Sequence, residues 1–147
     1  MGYSWVIPDR LAQGSRPDRS TEPLPFDVVV LAAMEIQPRA LPGNPEILRV
    51  PLDDAKPTAE EIRLAILAAR KVSRRLRADK RVLVTCHMGL NRSGLVTGLT
   101  LIELGATADQ AVRAVRRARG SLALSNPHFV EVLRMQSRLL HGRSRAA

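Results

Sequence analysis

The stretch from Arg81 to Gly94 constrains the fold of this chain more than any other. Val82, Leu83 and Val84 form a short apolar run rich in β-branched residues, which predicts a buried strand. Arg92-Ser93 then opens a segment carrying Leu95, Val96, Leu99, Leu101, Ile102 and Leu104, which predicts a buried helix. Cys86 stands at the carboxyl end of the strand, and five residues separate it from Arg92 at the amino end of the helix.

That arrangement suits anion chemistry. A loop over His87, Met88, Gly89, Leu90, Asn91 and Arg92 can curl so that its backbone N–H groups point inward as a cradle. The helix beginning near Ser93 adds the positive end of its dipole. Arg92 adds a planar fork that matches two phosphate oxygens. Gly89 and Gly94 allow backbone paths that a Cβ would hinder. The same positive field favours the thiolate of Cys86 over the thiol. The loop would hold a phosphoryl group over a sulfur nucleophile.

Cys86, five residues, Arg92 and Ser93 resemble the signature of the cysteine-dependent protein phosphatases. Asn91-Arg92-Ser93 and the short chain are similar to the dual-specificity branch. The resemblance implies that Cys86 attacks phosphorus to form a phosphocysteine, that Arg92 binds the phosphate, and that Ser93 steadies the departing thiolate. It implies no metal and no cofactor. One residue departs from the pattern: the family's usual His before the Cys is replaced by Thr85. That His orients the loop and favours the thiolate, so its absence is expected to slow turnover without abolishing it.

A leaving alkoxide or phenoxide needs a proton, so a carboxylic acid should stand near the thiolate. Ile47 to Leu52 reads as a strand that delivers Asp53-Asp54 to a loop, and Asp54 lies 32 residues before Cys86. The resemblance places the general acid at Asp54, with Asp53 as the alternative. It also makes Glu35 and Arg39, in the proline-rich stretch 35–45, candidates for the border of the substrate mouth, with a solvated loop as the favoured role for each. Arg116 or Arg119 would back the signature loop or stand as plain surface arginines. Asn126 would support it or simply cap the helix that begins with Pro127.

The remaining pattern predicts an α/β fold. Strands are expected at about 3–7, 11–13, 27–33, 47–52 and 82–85, the first two as an edge hairpin. Val28 to Ala33 is continuously apolar, as in a strand covered on both faces. Thr58 and Glu61 form a capping box for a helix to about Ala78, with Ile62, Ile66, Ala69, Val72 and Leu76 inward. Thr107 and Gln110 form another, for a helix to Arg119 with Ala111, Val112, Val115 and Ala118 inward. The last helix is expected to bury Phe129, Leu133, Leu140 and Val130. Arg16-Pro17-Asp18 should begin a loop or short helix. The whole is a single domain over 1–147, a largely parallel five-stranded sheet with helices on both faces and a basic tail at 142–147.

Composition narrows the classes. The net charge is +9, carried by 20 Arg and 3 Lys spread over helix faces with only four aromatics, so nucleic acid is not the expected partner. Attraction of anionic substrates is the expected effect of the charge. The single Cys excludes an internal disulfide and a Cys-based metal cluster. His87, His128 and His141 lie apart and read as incidental. No apolar run approaches the roughly 20 residues of a membrane span. A cytoplasmic monomer is expected. The expected activity is hydrolysis of phosphate monoesters, foremost phosphotyrosine, with phosphoserine and phosphothreonine, in phosphorylated proteins. The alternatives are a phosphoinositide or RNA 5′-phosphatase using the same loop, and a non-catalytic phosphoprotein-binding module.

Overall fold

The computed structural model describes residues 2–17 and 22–142. Asp18 and most of the expected basic tail, 143–147, lie outside the described residues. The chain builds strands β1 (Tyr3–Ile7), β2 (Leu11–Gly14), β3 (Val28–Ala33) and β4 (Glu46–Leu52), then helix α1 (Ala59–Arg77). Strand β5 (Val82–Thr85) follows, then α2 (Arg92–Glu103), α3 (Ala108–Arg119) and α4 (Pro127–Ser137), the last running into a π-helical turn, Arg138–Gly142.

The sheet order is β1-β2-β5-β3-β4. Of the described strands only β1 is antiparallel; it pairs with β2 as the edge hairpin. β2 with β5, β5 with β3 and β3 with β4 are all parallel. The parallel strands therefore end on one edge, with Thr85 level with Gly14 and Leu31, and Ala33 level with Leu52. Loops that leave this edge converge.

Side-chain alternation along the strands separates two apolar clusters. Val28, Val30, Val82, Val84, Leu11, Val50 and Leu52 join the larger one, together with buried side chains of all four α-helices. Val29, Leu31, Leu83 and Ala12 join a smaller cluster on the opposite face, closed by Phe26, Leu41, Tyr3 and Leu24. Tyr3, Trp5 and Phe26 contact one another there, with Tyr3 edge-on to Phe26 at 5.1 Å. Where the sequence pattern places helices on both faces, the described helices gather on one, and connecting segments close the other. The all-apolar β3 is buried on both sides either way, because loop side chains exclude water as well as a helix does.

Both capping boxes form, at Thr58 with Glu61 and at Thr107 with Gln110. The buried stripe of α1 is rotated from the expected one: Ala65, Ala68, Ala69, Val72 and Leu76 are buried, whereas Ile62 and Ile66 are partly exposed. The buried stripe is built largely of small alanines, and the larger Ile62 and Ile66 lie at its flanks. In α3, Ala111, Val112 and Val115 are buried and Ala118 is half-exposed. Leu140 is a correction: it is 41% exposed, because α4 ends at Ser137 and the π turn carries it off the core-facing stripe. Phe129 and Leu133 are fully buried, and Val130 is half-buried. Leu133 rests on Gly98 of α2, where a Cβ would come within 2.9 Å of both its methyl carbons.

Candidate active site

Cys86 follows β5 directly and is 4% exposed. Its N–H donates to the Gly14 carbonyl of the neighbouring strand at 3.3 Å. Its Sγ lies 3.2 Å from Oγ of Ser93, which is fully buried in the first turn of α2. Sulfur and hydroxyl thus sit together at the amino end of a helix.

Every carbonyl from His87 to Asn91 is tied outward. His87 O accepts from Arg16 N–H at 3.1 Å, Leu90 O from Leu124 N–H at 3.1 Å, and Asn91 O from Leu95 N–H at 2.8 Å. Gly89 O accepts from the Gln13 amide at 3.1 Å and from Arg119 Nε at 3.0 Å. Met88 O accepts from Arg119 at 3.4 Å. A planar peptide points its N–H opposite to its carbonyl. The N–H groups of Met88 to Arg92 therefore face away from these tethers, and those of Met88 to Asn91 donate to no described residue.

Gly89 makes the curl possible. Its φ is +74°, and a Cβ there would come within 2.5 Å of Gly14, 2.6 Å of Ser15 and 2.7 Å of the Arg119 guanidinium. Leu124, which donates to Leu90 O, also has a left-handed φ of +57° although it is a fully buried leucine. Arg116 holds that segment by donating to Ala123 O at 3.0 Å and Leu124 O at 3.1 Å.

Arg92 is 8% exposed. Its Nη1 donates to Glu35 at 2.6 Å and to the Leu52 carbonyl at 3.2 Å, and its Nη2 donates to the other Glu35 oxygen at 2.6 Å. The Arg92 guanidinium holds the Glu35 carboxyl well below the ordinary carboxylate range, at about 2. The same hydrogen bonds raise the Arg92 pKa. A guanidinium has five N–H donors. Three are committed, which leaves the edge formed by Nε–H and the second Nη2 hydrogen.

Asp54 is exposed at the other side of the loop. Asn126 Nδ2 donates to its Oδ1 at 2.9 Å, and Asn91 Nδ2 donates to its Oδ2 at 3.1 Å. Asn126 also caps α4 by accepting from His128 N–H at 3.0 Å, so the capping and loop-supporting roles are held by one side chain.

A cavity of about 220 Å³ opens over this arrangement, lined by Asp54, Cys86, His87, Met88, Leu90, Asn91 and Arg92. The structure brings Glu35 to Arg92 and Arg119 to the back of the loop, but not Arg39 or Asp53 to the cavity. Arg39 offers its carbonyl to Arg49, and the Asp53 N–H is held by Glu61. His87 lines the mouth, while His128 and His141 lie elsewhere. Thr85 donates its hydroxyl to Val30 O at 2.9 Å in the sheet.

One participant escapes the sequence pattern: Gln13, a fully buried polar residue in a strand. Asn91 and Asn126 are expected near the loop, but their side-chain contacts with Asp54 are not. The available signal is a glutamine at a position whose neighbours in β2 are all buried.

No family model and no curated protein matches the sequence. Solved structures do match. Tk-PTP, in a mutant form, is 26% identical over 99% of this chain and 98% of its own, with a TM-score of 0.76. A mouse putative dual specificity phosphatase complexed with zinc tungstate is 23% identical over 97% and 90%, with a TM-score of 0.82. Human DUSP28 is 23% identical over 94% of each chain, with a TM-score of 0.78. The protein has the fold of the cysteine-based, dual-specificity-phosphatase-like proteins.

Proposed function

We propose that this protein hydrolyses phosphate monoesters in two steps through a phosphocysteine. The observation that carries this reading is the outward tethering of every carbonyl from His87 to Asn91 around the Cys86 sulfur. A bowl of N–H donors with a guanidinium edge at its rim stabilises charge on three phosphoryl oxygens as it shifts during transfer. The Cys86 thiolate attacks phosphorus, the P–O bond to the leaving group breaks, and Asp54 gives that oxygen its proton. The Asp54 carboxylate then takes a proton from water as the water oxygen attacks phosphorus. The S–P bond breaks, the Ser93 hydroxyl steadies the departing Cys86 thiolate by a hydrogen bond, and inorganic phosphate leaves.

Phosphorylated proteins, foremost on tyrosine, are the substrates this reading assigns. Tk-PTP, similar at 26% identity along almost the whole of both chains, supports a phosphatase. Among the cavity-lining residues Arg92 is the sole Lys or Arg, and Glu35 already pairs with it. Such a mouth suits one phosphate on a neutral side chain better than a headgroup or RNA end with several. A panel of phosphotyrosyl, phosphoseryl and inositol-lipid substrates, run on wild type and Cys86→Ser, tests the reading. Turnover of the phosphotyrosyl peptide that disappears in the variant is expected. Undiminished turnover in Cys86→Ser would overturn the mechanism, and preferred turnover of the lipid would overturn the substrate.

A further inference from the structure

Asn91 occupies the loop position before Arg92, and its side chain leaves the loop altogether. Its Nδ2 donates to Asp54 Oδ2 at 3.1 Å and to Ser125 Oγ at 3.2 Å. Its Oδ1 accepts from Asn126 N–H at 2.9 Å. Asn126 Nδ2 then returns to Asp54 Oδ1 at 2.9 Å and to Ala55 O at 3.1 Å. These contacts close a ring through three segments that are far apart in the chain: the β4–α1 loop, the signature loop and the start of α4. The Asn91 amide can adopt only one orientation in this ring, because its oxygen faces a backbone donor and its nitrogen faces a carboxylate.

From this ring we infer that Asn91 is a positioning residue for proton transfer by Asp54, a role its side chain plays in addition to the loop's phosphate-binding backbone. The inference rests on the function proposed above. Asp54 is exposed on a loop, and an unrestrained carboxyl there would sample many rotamers. General acid catalysis needs the proton within hydrogen-bond reach of the leaving oxygen. Asn126 alone fixes one carboxyl oxygen and leaves rotation about it. Asn91 fixes the second oxygen, and it does so from the residue whose neighbour, Arg92, grips the phosphate. The distance between the acid and the phosphoryl group is thereby set by one rigid loop. The same contact orients Oδ2 in the second step, when the carboxylate takes a proton from water.

The test is the dependence of rate on the leaving group. In Asn91→Ala, kcat/KM for a phosphotyrosyl peptide should fall about tenfold, a fraction of the roughly 10²–10⁴ that general acids contribute. With 2,4-dinitrophenyl phosphate, whose leaving group needs no proton, the loss should stay within about twofold. Vanadate inhibition, which reads the bowl, should be unchanged. In an Asp54→Ala background, Asn91→Ala should cost nothing further on the peptide. Equal losses on both substrates with weakened vanadate binding would overturn the inference and make Asn91 a support of the bowl. Full additivity with Asp54→Ala would overturn it too. The underlying phosphatase reading fails on a different result, activity that survives Cys86→Ser.

Discussion

Glu35 and Arg92 are 57 residues apart in the chain, and their bidentate pair fixes the plane of the guanidinium. Preorganisation of that kind is where binding energy is saved. Glu35→Gln keeps the shape but loses the charge, and should weaken vanadate or phosphate inhibition about tenfold, the effect of a lost charge-assisted contact. Unchanged inhibition would show that Leu52 O alone holds the fork. The pair also has a pH signature. The folded-state pKa of Glu35 is depressed to about 2 from its ordinary value of 4.5, so its stabilising effect is present above about pH 4.5 and is lost as pH falls toward 2. Melting curves of wild type and Glu35→Gln should differ near pH 6 and converge toward about pH 2. Glu35 is 46% exposed, so the difference should be small. Asp54→Ala should depress turnover of phosphotyrosine far more than that of substrates with good leaving groups; equal losses would move the acid role elsewhere. At this scale the sequence shows Cys86, Arg92 and Ser93 plainly, because their spacing is local. Glu35 with Arg92, and Asn91 with Asp54, are long-range meetings that no spacing announces.

The strand–loop–helix element from Val82 to Glu103 carries Cys86 and Arg92, and its loop is held in shape by its neighbours. Gln13 from β2, Arg119 from α3, Arg16 after the hairpin and Leu124 before α4 each hold a loop carbonyl. Thr85, placed where the resembling family has a loop-orienting His, spends its hydroxyl on β3, and Gln13 and Arg119 hold the loop from behind. Gly89→Ala should therefore collapse activity by about a hundredfold, the scale of a misplaced oxyanion donor, while the melting temperature shifts by only a few degrees. Wild-type activity in that variant would mean that the loop curls differently. The element boundaries are readable from capping boxes, a proline at the first helical turn and apolar runs, all of them local signals. The inward face of α1 is not, because Ile62 with Ile66 and Ala65 with Ala68 are both apolar pairs at helical spacing, and tertiary packing decides which is buried.

Across the whole molecule, one cluster binds the four helices to the sheet, and α4 reaches it through Phe129 and Leu133. Leu133→Ala should cost about 2–5 kcal/mol, as fully buried leucines do, and lower denaturant resistance without changing the leaving-group dependence of catalysis. A cost near zero would show that Gly98 lets the gap close. The cavity lining holds one Arg and one Asp, Arg92 and Asp54, so the net charge of +9 is not concentrated there. It should act as a long-range field that raises encounter with anionic substrates. Raising salt from about 0.05 to 0.5 M should lower kcat/KM for a phosphopeptide several-fold while kcat holds. A falling kcat would place the salt effect in the site itself. Strand order and the one-sided gathering of the helices are not legible in the sequence, since the apolar run of β3 looks the same whether a helix or a loop covers it. Among the described residues no helix is long and apolar enough to cross a membrane.

The claim at the centre is that the Cys86 sulfur bonds to phosphorus under the loop. Mixing the protein with a phosphotyrosyl peptide, quenching in acid within milliseconds and mapping the digest by mass spectrometry reads this bond directly. The account predicts one phosphoryl group on the peptide that contains Cys86, present in wild type, more abundant in Ser93→Ala and absent in Cys86→Ser. Turnover with no phosphoryl group on that peptide, or with the group on another side chain, would contradict it.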